Sequence, residues 1–449
     1  MPSIESKGTR SYRVRVLCIP TIQTRSNWSL IGLAVVLAAC LIACSPDEFP
    51  GGRRAADESL PGAPAEVEPE APAERAPARG LWILAEGSYR VLDDASRIEP
   101  LLDRASRLGA TDLFVQVYRG GRAFYPGPEF VERWPGIDQS GIDVLGELLE
   151  DAHDRGMRVH AWVNVLSLST RRDAKLIEEL GPSAILTDRR GRSLLDYPDF
   201  DLPEPDRRFY RMGTRGLYLD PALPAVRERI LATFLDLVVR YPAIDGLHLD
   251  YIRHPGVLPF SPGSRFGVGL DFGYGAETRA LYRAETGNAD PIDGAKPGVV
   301  RHATEWDTWQ RRQVTTLVEE IADQTRAARP GLVVSAAVIP YVDRAYLSLA
   351  QDWRGWLESG ALDLAIPMIY TLDDRLLRYQ LETFAGWGQA DRIWPGLGTW
   401  LFSANPPRAV AQLELLRKNG FGGELLFSDD ALSESEPLLE ALAATASKP

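Results

Sequence analysis

From Arg79 onward, short apolar runs alternate with longer stretches in which apolar residues recur every three or four positions. Runs of the first kind predict strands, and the 3.6-residue period predicts amphipathic helices. Strands are expected at Gly80–Leu84, Asp112–Tyr118, Arg158–Val165, Asp245–Ile252, Leu332–Val338, Leu362–Tyr370, Ile393–Trp400 and Gly423–Ser428. Between and after them, helices are expected near Asp94–Leu108, Ile142–Arg155, Pro224–Tyr241, Thr304–Ala328, Tyr346–Ser359, Asp374–Gly386, Pro406–Asn419 and Glu434–Ala444. Strand and helix thus alternate through the whole series, over about 370 residues, which predicts a TIM (β/α)8 barrel with enlarged loops after strands three and four. A doubly wound open sheet is the alternative, but the turn after the first strand, Leu84–Tyr89, has no GxGxxG phosphate loop.

The fourth strand ends in the densest polar chemistry of the chain, Asp245–Pro255. Alternation puts His248 and Asp250 on one face and Leu247, Leu249 and Tyr251 on the other. A carboxylate on so apolar a strand is costly unless it is paired or used. Either Arg253 holds Asp250, or Asp250 is a catalytic group at a strand's carboxyl end, where barrel enzymes build their sites. Neighbouring strands favour the second reading. Gln116 and Tyr118 on the second strand, and His160, Trp162 and Asn164 on the third, keep the same two-residue spacing in a place usually filled by branched apolar side chains. Glu86 follows the first strand; Arg253 and His254 follow the fourth; Tyr370, Trp400 and Asp429 stand at the ends of the sixth, seventh and eighth.

Charge and composition narrow the chemistry. The 449 residues carry a net charge of −12, which argues against a nucleic-acid partner. All three cysteines (Cys18, Cys40 and Cys44) precede residue 45, leaving none for a disulfide framework, a thiol nucleophile or a zinc site in the folded part. The five histidines show no metal-ligand spacing, and no cofactor is expected. Upstream of the folded part, basic residues up to Arg25 precede an apolar run from Trp28 to Ala43, and Leu41-Ile42-Ala43-Cys44 has the form of a lipobox. Residues 1–43 are expected to be a lipoprotein signal peptide, with Cys44 bearing the lipid. Cys40 fits the pattern less well, because apolar chain rather than polar Ser45 onward follows it, and a plain transmembrane anchor is the alternative for the whole segment. Residues 44–78, rich in Pro, Ala and Glu, would form an extended tether to a domain at 79–449.

Carboxylates with aromatic, amide and guanidinium side chains suit carbohydrate chemistry, in which two carboxyl groups flank the scissile bond. Asp250 is the first candidate, with Glu86 and then Asp429 as its partner; Glu305 or Asp307 could also reach in from the fourth loop. Gln116, Tyr118, His160, Trp162, Asn164, His248, Arg253, His254, Tyr370 and Trp400 are candidate substrate contacts. The stretches Arg79–Trp82, Phe114–Arg119, His160–Asn164, Gly216–Pro221, Gly246–Arg253, Trp309–Val314 and Ile366–Tyr370 resemble, in order, the glycosyl-hydrolase-like 10 family of bacterial envelope proteins. That resemblance implies a TIM-barrel glycoside hydrolase of the cell envelope, acting on amino-sugar polymers such as peptidoglycan glycan strands, with Asp250 matching the family's strand-four Asp. An outer-membrane anchor facing the periplasm is the expected location. A glycan-binding barrel without catalysis, and a metal-dependent hydrolase using His248 and Asp250, are the competing readings.

Overall fold

The computed structural model describes residues 77–260, 271–294 and 299–446, so Cys18, Cys40, Cys44, the leader and the expected tether up to residue 76 lie outside the described residues. Ala78, expected in the tether, already belongs to the first strand. Eight parallel strands form a closed barrel: β1 (Ala78–Ile83), β2 (Asp112–Arg119), β3 (Arg158–Asn164), β4 (Gly246–Asp250), β5 (Val333–Val338), β6 (Leu364–Ile369), β7 (Gly396–Gly398) and β8 (Gly423–Phe427). They pair in chain order, and β8 returns to β1. The outer helices are α1 (Ile98–Arg107), α2 (Val144–Asp154), α3 (Pro224–Arg240), α4 (Ala303–Ala328), α5 (Val342–Leu349), α6 (Trp353–Ser359), α7 (Asp374–Ala385), α8 (Pro406–Arg417) and α9 (Glu436–Ala443).

Local chemistry explains these boundaries. Asp143 and Asp352 accept from the backbone N–H three residues on, and Asp373 from those of Arg375 and Leu376, capping α2, α6 and α7. α3 and α8 open with proline, whose missing N–H costs nothing in a first turn. The single helix expected at Tyr346–Ser359 is two: Ala350 turns into the left-handed region (φ 55°), and Asp352 starts a new helix. Strand seven is also shorter than expected, because the chain turns at Thr399–Phe402 into a 3-10 helix carrying Trp400.

The barrel interior is unusually aromatic. Trp82, Phe114, Trp162 and Trp394 fill it with Ala337, Ile366 and Leu425, while Leu81, Leu113, Leu247 and Leu249 pack outward against the helices. His160 lies flat on Phe114, 4.4 Å between ring centres. It fits because residue 246 is glycine: a Cβ there would stand 2.1 Å from His160 Nδ1. At the amino-terminal end Arg79 and Arg417 both donate to buried Glu424, a closed ionic cluster where barrels keep residues for stability.

The two large excursions, after β3 and after β4, are stitched together. Tyr210–Met212 pairs antiparallel with Val257–Pro259, and buried Thr278 donates to Asp220 Oδ2 at 2.6 Å. Both leave from the carboxyl ends of adjacent strands, so together they stand over one side of the barrel mouth.

Candidate active site

Asp250, the last residue of β4, is 6 % exposed. Trp162 Nε1 donates to its Oδ2 at 3.2 Å, and the backbone N–H of Tyr251 to its Oδ1 at 2.7 Å. The second bond depends on Tyr251 adopting φ 52°, a left-handed conformation that costs a bulky residue about 1–3 kcal/mol and is characteristic of functional sites. Burial raises the Asp250 pKa to about 6; the positive charge of Arg253, the two hydrogen bonds and the charge of Arg119 hold the rise in check. The carboxyl group therefore changes protonation near neutrality, the range in which a general acid works best.

Beneath it, Trp82 Nε1 donates to His248 Nε2 at 3.1 Å, and His248 Nδ1 faces Ser335 Oγ at 2.9 Å. Trp82 makes Nε2 an acceptor, so Nδ1 carries the proton. Burial drives the His248 pKa well down and keeps the ring neutral. With both nitrogens occupied, His248 belongs to the floor of the site, not to its substrate surface or to a metal centre.

Gln116 and Asn164 join the ends of the first three strands: Gln116 Oε1 accepts from the N–H of Ala85 at 3.3 Å, and its Nε2 donates to Asn164 Oδ1 at 3.2 Å. Glu86 is near the same rim, paired with Arg119 at 3.0 Å, with roughly a third of each side chain exposed. Arg119 is within electrostatic reach of Asp250 as well. It thus connects the two carboxylates. On the opposite side, Tyr370 meets Trp400 edge-on at 4.8 Å and Phe427 at 5.6 Å. Trp400 is 43 % exposed, and it lies so close to the β7 backbone that a Cβ on Gly398 would come within 2.6 Å of its ring.

Other expected contacts and candidate carboxylates are placed elsewhere. Tyr118 faces outward against Phe234 of α3, 5.6 Å between ring centres. A bulge in β2 pairs Gln116 with Trp162 but Tyr118 with Val163, and the extra residue reverses the alternation from which a shared face was inferred. His160 is fully buried low in the barrel, with Nε2 2.8 Å from Asp112 Oδ1. His254 is buried with Nδ1 unpartnered among the described residues, and burial lowers its pKa to about 4. Asp429 turns away from the mouth and takes a two-point hydrogen bond from Arg104, at 2.9 and 2.7 Å. Glu305 is exposed on the first turn of α4, and Asp307 is within electrostatic reach of Arg189 and Tyr274 of the excursions.

Arg119 is the main residue missed, although its position three past Gln116 could have pointed to it. Trp82 and Ser335 were also missed, because nothing in their local sequence marks them as partners of His248.

With an aromatic-walled mouth and a buried acid established, comparison with known proteins adds the lineage. The glycosyl hydrolase-like 10 profile matches residues 77–393. The chain belongs to the glycosyl hydrolase-like 10 family. Among characterised sequences it is similar to "Glycosyl hydrolase DigH" of Escherichia coli K12, 25% identical and spanning 90% of this chain and 93% of that one. It also matches "Glycosyl hydrolase YngK" of Bacillus subtilis, 25% identical over 60% of this chain and 48% of that protein. In fold it is similar to the PgaB (BpsB) glycoside hydrolase domain of Bordetella bronchiseptica, with TM-score 0.58, 16% identity, and coverage of 83% of this chain and all of that one. An α-L-fucosidase of Paenibacillus thiaminolyticus aligns with TM-score 0.52 and 14% identity, over 83% of this chain and 49% of that one. The family and its curated relatives support a glycoside-hydrolase type of function, and the solved structures support the fold.

Proposed function

We propose that this glycosyl hydrolase-like 10 protein hydrolyses glycosidic bonds of an amino-sugar polymer of the bacterial envelope, such as peptidoglycan glycan strands, with Asp250 as general acid. The observation that carries this reading is the buried Asp250 carboxyl, oriented by Trp162 and the Tyr251 N–H and shifted to about 6. In its protonated form Asp250 gives a proton to the leaving oxygen. The Glu86 carboxylate, held by Arg119 on the same rim, is its proposed partner as nucleophile or base, and Arg119 is placed to balance charge as the two exchange roles. Trp400 and Tyr370 offer apolar faces to the sugar ring, and Gln116 and Asn164 offer amide groups to its hydroxyls.

The reading extends to the membrane. Lipidation at Cys44 would hold the barrel on a tether at the outer membrane, facing the periplasm. Among the described residues no helix is long and apolar enough to cross a membrane, so the leader would supply the attachment. In a bacterial host, blocking signal peptidase II should raise the apparent mass of the protein; an unchanged mass removes the anchor.

Mass spectrometry of glycan strands incubated with the protein tests the activity. New reducing ends, each accompanied by uptake of one water, are expected from the wild type and not from Asp250→Asn. Saccharide binding that survives in the variant, with no product from either protein, would instead identify a binding module.

A further inference from the structure

A cavity of about 400 Å³ lies at the barrel mouth, bounded by the segment after β4, by the ends of β5 and β6, by α5 and by the paired excursion strands. Most of its wall is apolar, with Leu258, Ile339, Leu349 and Met368 among the lining residues. Among its polar lining residues, Arg253 is a buried cation. Its side chain lines this cavity and is 6 % exposed. Nη1 reaches only the carbonyl of His254, at 3.3 Å, and Nε has no hydrogen-bond partner among the described residues. The guanidinium stands 5.1 Å over the Tyr251 ring, and the buried Tyr218 hydroxyl is its other near neighbour. No carboxylate among the described residues comes within ion-pairing distance of it; Asp250, the nearest in effect, feels it only as a charge. A buried guanidinium with a free donor is expensive unless something fills its fork.

The charges around the cavity point the same way. Asp271 lines it but is already paired with Arg189. Asp343 and Arg344, both exposed on α5, offset one another, and Arg344 lies over the exposed ring of Tyr341 at 5.6 Å. That leaves Arg253 without an ion-pair partner among the described residues, in a largely apolar pocket of sugar size, within electrostatic reach of the candidate acid.

We infer that this cavity is a subsite for a sugar residue bearing a free carboxylate, with Arg253 as the specificity-determining residue that binds it. The inference rests on the glycosidase reading and narrows it to acidic glycans, with the carboxylate supplied by a 3-O-lactyl ether or by a uronic acid. It also couples recognition to chemistry. When the substrate's carboxylate neutralises Arg253, Asp250 loses the positive charge that holds its pKa down and keeps its proton to higher pH. An acidic substrate would therefore improve the acid that cleaves it.

The test uses the full chain in detergent and two peptide-free tetrasaccharides: alternating N-acetylglucosamine and N-acetylmuramic acid, and the hyaluronan repeat. Each is compared with its carboxyl-reduced alcohol. For one of the two acids, kcat/KM should exceed that of its own alcohol by about 10–100-fold, the scale of a charge-assisted hydrogen bond in a buried site; whichever acid shows the preference identifies the source. The alkaline limb of kcat should lie at higher pH for that acid than for its alcohol. Arg253→Gln should abolish both differences, and Arg253→Lys should keep part of the preference. Equal turnover of acid and alcohol by the wild type overturns the inference, and so does a preference that survives in a folded Arg253→Gln protein. The wild-type comparison decides the matter if that variant does not fold. If no saccharide is cleaved, the glycosidase reading fails separately, and calorimetry with the same four compounds decides the subsite: tighter binding of one acid supports it, and equal or absent binding rejects it.

Discussion

Asp250→Asn should do more than remove activity; it should change how stability depends on pH. Burial raises the Asp250 pKa from 3.8 to about 6, a difference worth roughly 3 kcal/mol. Because the pKa is raised on folding, the native state binds this proton more tightly than the unfolded chain does. This group's contribution to the fold is therefore fully present below pH 3.8, and the roughly 3 kcal/mol is lost as pH rises through about 6. Asn keeps the shape and never ionises. Its one amide oxygen can accept from only one of Trp162 Nε1 and the Tyr251 N–H, and its NH2 then faces the other donor, at a pH-independent cost of about 1–3 kcal/mol. On top of that constant offset, the stability of the variant relative to the wild type should rise by roughly 3 kcal/mol as pH goes from below 3.8 to above about 7. Other buried groups titrate in the same window: His254, lowered to about 4, loses stability as pH falls below 6.5, and Glu424, raised to about 7, acts in the sense of Asp250. Both are common to the two proteins and cancel in the difference. Chemical denaturation of both proteins from pH 4.5 to 8 measures it. Activity should fall by about 10²–10⁴-fold in the variant, and the wild-type kcat/KM should decline above roughly pH 6 as the acid loses its proton. Parallel stability curves for the two proteins would refute the claim that burial sets the protonation of Asp250, whatever happens to turnover.

Three further substitutions separate the roles assigned to other residues. Asp429→Ala strands the Arg104 guanidinium and should cost roughly 3–5 kcal/mol in denaturation, with kcat/KM of the surviving folded protein unchanged; a selective loss of kcat would return Asp429 to the catalytic set. Trp400→Ala, on an exposed ring, should leave the melting temperature within a degree or two and raise KM about 3–10-fold with little effect on kcat, as expected for a lost stacking contact. Trp82→Phe removes the only donor to His248 Nε2 among the described residues and should destabilise by about 1–3 kcal/mol; an unchanged midpoint would mean that this floor contact is not needed.

The barrel was legible because its signal is periodic and repeated eight times. Each expected strand lies within a few residues of an observed one, and the two largest errors have local causes in Ala350 and in the turn at Thr399. The site was less legible because it depends on which way single side chains point. Alternation served well on β4, where His248 and Asp250 do share the inner face, and it failed on β2, where the bulge turns Tyr118 outward. Nothing in the composition around residue 117 announces that bulge. Asp429 was misplaced for a related reason: it opens a short helix, Asp429–Ser433, that aims it at Arg104 of α1, a partner 325 positions away. Long-range pairings of this kind leave no trace in local spacing.

The placement of polar groups by depth ties the site to the fold. At the amino-terminal end Arg79, Arg417 and Glu424 satisfy one another. One level higher, His160 meets Asp112, and above it His248 is held between Trp82 and Ser335. Apart from His160 Nδ1, which has no partner among the described residues, those groups are paired with side chains on neighbouring strands, which is how a barrel interior tolerates them. At the mouth the Asp250 carboxyl carries a perturbed proton and Arg253 has an unfilled donor. Paired polar layers below keep water from Asp250, and that dryness is what raises its pKa. A substrate that fills the Arg253 fork would remove the charge that holds the Asp250 pKa down, so binding and the fraction of Asp250 that stays protonated should rise together.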